Sequence, residues 1–516
     1  MKNLLLPLIS AIFSVAPALA DNFSPQPSPN PWPDDYRHIS SMDNWKEWGT
    51  YNVHDPSCRK IGDYYYMYST DAIYRENRKE AAEKNVPLGF IQMRRSKNLV
   101  NWEFLGWVFP EIPAEAVEWV HANANGEGAT NIWAPYIVDC GNGSYRLYYC
   151  VSAFGKNTSY IGMATASSPQ GPWRQAGEVV KTSKDSKMNA IDPSVATDAE
   201  GRQWMHYGSY FGGLYCLELD PATGLALNKG DQGHLVARRA NWRKDNLEAP
   251  EIYQNRQNGK YYLFQSYDPL MTTYNVRVGR ADKAEGPFID FKGKEIADTT
   301  NNFPILTAPY RFENHPGWVG TAHCGVFDDG QGNIFMAHQG RLATDAGMMD
   351  LHVRQVFFTP EGWPVVSPER YAALPARQFT EADLEGEWEI IRVLEPRAER
   401  NLEAGQILWG EGDLLDGEWN NPSAITILAG GKAIASAAVA NSAAATDADS
   451  SNSATSTIVA TWKFNPATQL MDITLGNEKI TDLIIHHGHD WERETDTILF
   501  TGLDSTGRSV WGKRIR

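Results

Sequence analysis

Apolar and aromatic positions cluster along most of this chain in short runs separated by polar, turn-forming stretches. Tyr64 to Tyr68, Tyr145 to Tyr149, Gln203 to Tyr207, Tyr261 to Phe264 and Asn333 to His338 are the clearest of them. Such residues suit a pleated, half-buried surface. Turn residues punctuate the runs: Asp198-Ala199-Glu200-Gly201, Asn258-Gly259 and Asp329-Gly330. Asn-Gly and Asp-Gly between alternating runs are strong hairpin signals.

The runs group into five units, opening near Asp55, Ile132, Asp192, Glu248 and Gly320. Each reads as a strand, a Gly-containing hairpin, an aromatic strand, a third strand and an edge strand. Repetition of four antiparallel strands predicts a five-bladed β-propeller, here over 41–375. The inner strands of a propeller line one channel and begin at the same end of it. Asp55, Asp192, Glu248 and His323 are therefore expected to face one axial funnel. Each carboxylate stands just ahead of a proline (Val53 to Ser57, Ala190 to Ser194, Asn246 to Ile252). Proline suits the first position of a strand because it has no N–H to pair. Asp71 to Val86 is charged, and is expected to be a helical surface insertion in the first blade.

The character of the chain changes near Pro375. Over 376–516 the runs Ala424 to Leu428, Thr457 to Phe464, Leu470 to Leu475, Ile480 to Ile485 and Ile498 to Thr501 predict a small β-barrel or sandwich. Between two of its strands, 433–456 is almost entirely small and polar, which predicts a loop. The fold class is all-β.

The first twenty residues resemble a secretory signal: Lys2, an apolar stretch from Leu4 to Val15, then Ala18-Leu19-Ala20. Cleavage near Ala20 predicts export to the periplasm or medium. A Pro/Ser-rich linker occupies 21–40, and no later run is apolar and long enough to insert in a bilayer. A length of 516 residues calls for two or more domains. The formal net charge of -16 argues against nucleic acid or an anionic membrane as partner and allows a neutral polysaccharide. Cys58, Cys140, Cys150, Cys216 and Cys324 lack metal-ligand spacing and read as small core residues, although one disulfide stays open.

The segments HDPS, NIWAPYI, AIDPSV, LEAPEI and GTAHCGVF, in that order, resemble glycoside hydrolase family 43. Val151 to Gly162 and Tyr207 to Gly213 resemble its arabinanase branch. Ala153 and Tyr210 depart from that branch's usual residues. The resemblance implies a general base at Asp55, a general acid at Glu248 and, at Asp192, a carboxylate that orients the acid and raises its pKa. It implies sugar contacts at Trp133, Phe154, Ser209 and Tyr210, and calcium on the axis at His323. Read on their own, His323, Trp133 and Phe154 also suit ordinary core positions. His486, His487 and His489 have metal-like spacing but read better as a solvated hairpin tip.

The expected activity is hydrolysis of α-1,5-L-arabinan by a secreted, inverting, monomeric enzyme. An exo-acting arabinofuranosidase, a β-xylosidase and a propeller that binds glycans without cleaving them are the alternatives. The last would not need all three carboxylates.

Overall fold

The computed structural model describes Asp34, residues 39–71, 73, 75–240, 245–396, 414, 418–436 and 457–516. The signal-like segment and most of the linker and of 433–456 lie outside the described residues.

Five antiparallel sheets follow one another along the chain. The first blade contains β1 (His54–Ile61), β2 (Tyr64–Thr70), β3 (Phe90–Ser96) and β4 (Glu103–Phe109). The second contains β5 (Trp133–Asp139), β6 (Tyr145–Ser152), β7 (Ser159–Ala166) and β8 (Arg174–Thr182). The third contains β9 (Ser194–Thr197), β10 (Gln203–Tyr207), β11 (Leu214–Leu219) and β12 (His234–Ala237). The fourth contains β13 (Leu247–Gln254), β14 (Tyr261–Tyr267), β15 (Asn275–Ala281) and β16 (Ile305–Thr307). In the fifth, β17 (Trp318–Val319) and β18 (Gly325–Asp328) both pair with β19 (Ile334–Leu342), followed by β20 (Asp350–Phe358) and β21 (Pro364–Val366). Blades stack face to face, so their second strands are covered on both sides. Every residue of β6, β14 and β19 is buried. That is why these segments read as nearly continuous apolar runs.

Among the described residues, no blade borrows a strand from another. The ring closes where a Tyr51–Asp350 bridge joins the segment before β1 to the fifth blade. There the Val53 N–H donates to the Met349 carbonyl at 3.1 Å, and the Leu351 N–H to the Thr50 carbonyl at 2.9 Å.

Helix α1 (Arg75–Glu83) falls in the expected insertion. A second helix, α2 (Ala114–Asn123), was not legible as one; it links the first two blades and buries Ala116 and Val120.

The C-terminal domain is a closed barrel, not a sandwich. Its strands are β22 (Gly386–Arg392), β23 (Ser423–Leu428), β24 (Lys432–Ser436), β25 (Thr457–Asn465), β26 (Leu470–Leu475), β27 (Glu478–Asp490), β28 (Thr495–Leu503) and β29 (Ser509–Arg514), and β22 pairs with β29. Ala433 to Ser436, expected in the small-residue loop, belong to β24. The barrel shares a core with the last two blades: Ile391 and Trp511 pack with Tyr310, Trp318 and Val366. At that boundary Lys513, fully buried, meets Glu369 at 2.8 Å, Asp490 at 3.1 Å and Glu492.

His486, His487 and His489 lie along β27 rather than at a solvated tip. His486 is buried against Ser367 of the propeller, with Nε2 3.1 Å from its Oγ. Burial holds its pKa down at about 4. His487 faces the Pro375 carbonyl and His489 faces Asp496, so they do not converge on one ion. None of the cysteines is bonded: four are buried, and Cys140 is exposed instead of in the core.

Candidate active site

The inner strands begin with a shared backbone device. Asp55, Ala134, Asp192, Ala249 and His323 all have left-handed φ, at 49, 42, 58, 56 and 51°. Such φ values are uncommon outside glycine. The first four precede Pro56, Pro135, Pro193 and Pro250, and a following proline disfavours the right-handed helical region. In blades one, two and four the strand pairing is interrupted here, between His54 and Ser57, Trp133 and Tyr136, and Glu248 and Glu251. Bulges of this kind re-aim side chains beside sites.

The bulges correct one expectation. Glu248 is not in register with Asp55 and Asp192; Ala249 is. Glu248 aligns instead with His54 and Trp133. Adjacent strand residues face different ways, and the contacts follow that rule. Asp55, Asp192 and His323 line a small axial cavity together. Glu248 turns to the third and fourth blades, where Ser209 Oγ donates to its Oε2 and Tyr274 OH to its Oε1, both at 2.7 Å. The two groups stay close, because the Ala249 N–H donates to Asp192 Oδ2 at 3.1 Å.

Asp55 is held by imidazoles. His323 Nδ1 lies 2.7 Å and His54 Nε2 3.2 Å from its Oδ1. Burial pushes the Asp55 carboxyl up most strongly, but His323, His54 and the Thr70 hydroxyl together outweigh it and the carboxyl stays well below its usual range. Burial pulls His323 down, yet Asp55 and Asp192 raise it to about 9. His54 is driven down to about 3, mainly by burial, and is neutral. Burial raises both Asp192 and Glu248. His323 pulls Asp192 back while Glu248 repels its charge; Ser209 and Tyr274 moderate Glu248. An ionised Asp55 thus faces two carboxyls, Asp192 and Glu248, whose pKa values are raised, which is the split that acid–base chemistry needs.

Trp133 and Phe154 meet edge to face with ring centroids 6.3 Å apart. Phe154 is 65% exposed, an open apolar platform. The Ser209 hydroxyl, expected to contact sugar, is engaged by Glu248. Partly buried Tyr210 follows it with φ of 52°. The sequence reading missed His54 and Tyr274. His54 stood inside HDPS and could have been noticed; Tyr274 carried no motif.

The chain is similar to known proteins over both of its domains. The model for glycosyl hydrolases family 43 matches residues 49–364, and a C-terminal lipocalin-like domain of that family matches 368–512. The chain belongs to glycosyl hydrolases family 43. It is a glycoside hydrolase. An extracellular endo-alpha-(1->5)-L-arabinanase of Thermotoga petrophila is 26% identical over 508 residues, spanning 90% of this chain and 93% of the relative. A crystal structure of endo-1,5-alpha-L-arabinanase from the same organism superposes with a TM-score of 0.71 at 24% identity, covering 90% of this chain and 99% of that one, and shows the shared two-domain fold. The alpha-L-arabinanase of Cellvibrio cellulosa complexed with arabinohexaose is 27% identical with a TM-score of 0.50, covering 61% of this chain and 95% of that one.

Proposed function

We propose that this family 43 enzyme is exported and hydrolyses α-1,5-L-arabinofuranosidic bonds of arabinan with inversion. The observation that carries the mechanism is the contrast between imidazole-bound Asp55 and hydroxyl-bound Glu248. Asp55 is the base that takes a proton from water as it attacks the anomeric carbon. Glu248 is the acid that gives its proton to the leaving oxygen. Asp192, held by the Ala249 N–H next to Glu248, is the carboxylate that orients the acid and whose like charge favours its protonated form. Inverting enzymes place the two carboxyls roughly 6.5–9.5 Å apart, leaving room for the water. Trp133 and Phe154 offer faces for the apolar side of furanose rings. The arabinanases named above support the substrate, and the word extracellular in the relative's name supports export.

Calcium at His323 belongs to the same reading. Calcium favours six to eight oxygen ligands. At the axis the chain offers one imidazole, already turned toward Asp55. Among the described residues, the group of three His, Cys, Asp or Glu ligand atoms is Glu369, Asp490 and Glu492, at the barrel boundary. The residues at the axis fit calcium only as an ion that keeps most of its water.

The test is proton NMR of the first product from linear arabinan, with xylan as control. Initial β anomer from the α bond supports inversion. Initial α anomer rejects both inversion and Asp55 as base. Cleavage of xylan alone rejects the substrate.

A further inference from the structure

Two residues beyond each left-handed position stand Ser57, Tyr136, Ser194, Glu251 and Gly325, all buried. Four of them reach into the next blade, each to the same place. Ser57 Oγ accepts from the Ile137 N–H at 3.2 Å. Tyr136 OH donates to the Val195 carbonyl at 3.1 Å. Ser194 Oγ accepts from the Ile252 N–H at 3.2 Å, and Glu251 Oε1 from the Val326 N–H at 3.0 Å. The fifth position closes the circle without a side chain. A Cβ on Gly325 would sit 2.4 Å from the Pro56 carbonyl oxygen. Arg59 crosses the same seam, donating to the Val326 carbonyl at 3.3 Å and to Tyr136 OH at 2.5 Å.

We propose that these five positions form a belt that sets the spacing of Asp55, Asp192, Glu248 and His323, making Ser57, Tyr136, Ser194, Glu251 and Gly325 positioning residues. The inference rests on the reading of Asp55 and Glu248 as base and acid. Strands rise about 3.3 Å per residue, so the belt lies one short step below the site. These bonds tie neighbouring inner strands together directly beneath the site. A displacement of the order of 1 Å can cost about 10²-fold in rate. Loosening the belt therefore lowers kcat while the aromatic platform, and with it KM, is unchanged.

The test compares Gly325→Ala, Glu251→Leu, Glu251→Gln and Asp55→Asn, each checked for folding by circular dichroism and assayed on linear arabinan. Gly325 has ordinary φ, so alanine acts only as a wedge between the first and fifth blades. Gly325→Ala and Glu251→Leu are expected to lose about tenfold or more in kcat, with KM within about twofold. Glu251→Gln keeps a carbonyl acceptor for Val326 and recovers most of the loss. Wild-type kcat in folded Gly325→Ala and Glu251→Leu overturns the belt, as does a loss confined to KM or one that Gln does not restore. If those two variants fail to fold, Ser194→Ala, which deletes one hydroxyl, decides by the same criterion. Normal turnover in Asp55→Asn would show that the reading of the site had failed. Loss there, with normal turnover in the belt variants, would sink the belt alone.

Discussion

The Tyr274 hydroxyl donates to Glu248 Oε1 at 2.7 Å from a position that is 1% exposed. A donor on a carboxylate favours its ionised form. Tyr274 thus restrains the rise that burial imposes on Glu248. Hydrogen bonds to charged groups are worth about 1.5–3 kcal/mol, and one pKa unit corresponds to about 1.4 kcal/mol. Tyr274→Phe is expected to move the alkaline limb of the pH–kcat profile upward by about one unit. A limb that stays in place would mean that the hydroxyl only fills space.

Asp55→Asn and Glu248→Gln should each lower kcat by about 10²–10⁴-fold, the scale of a general base or acid. Circular dichroism should be little changed, because each amide matches the shape of the carboxyl it replaces and neither residue belongs to an apolar core cluster. Near-normal turnover by either folded variant removes that residue from the mechanism.

Asp192→Asn acts in the direction opposite to Tyr274→Phe. Burial raises Asp192, and the charge of the neighbouring Glu248 adds to the rise. An amide there takes away the like charge, so Glu248 gives up its proton at lower pH and the alkaline limb shifts downward. An unmoved limb would leave Asp192 as a partner of the Ala249 N–H alone.

Chelator treatment should lower activity or thermal stability, with recovery on adding calcium, and His323→Ala should abolish that response. Elemental analysis of untreated protein provides the independent check. Metal-free protein with full activity would eliminate the axial ion.

Lys513 is the buried cation shared by Glu369, Asp490 and Glu492 where the barrel meets the propeller, with Arg493 also on Asp490. Removing one partner of a buried ion pair typically costs about 3–5 kcal/mol, because the charge left behind is uncompensated. Lys513→Met should therefore lower the unfolding temperature by many degrees while leaving kcat at moderate temperature close to wild type. An unchanged unfolding temperature would show that the carboxyls take up protons instead.

Much of this protein was legible in local chemistry. Tyr64 to Tyr68 and Tyr261 to Phe264 formed strands because short aromatic runs between tight turns suit a pleated, buried surface. Repetition of that pattern five times implied a propeller, and a propeller brings the starts of its inner strands together. Asp55, Asp192 and His323 could be placed on the axis from these steps alone. The family was legible from the order of its motifs. The one-residue offset of Glu248, with Ala249 between it and Pro250 where Asp55 adjoins Pro56, stood in the sequence, but the direction it gives the side chain was set by the bulged strand pairing. Tyr274, the closed barrel, the burial of His486 against Ser367 and the belt of Ser57, Tyr136, Ser194, Glu251 and Gly325 were likewise decided by tertiary structure. Each is a contact between segments distant in the chain. A hydroxyl, an imidazole or a glycine has the same local preferences whether or not a partner strand stands opposite it, so only packing could choose its role.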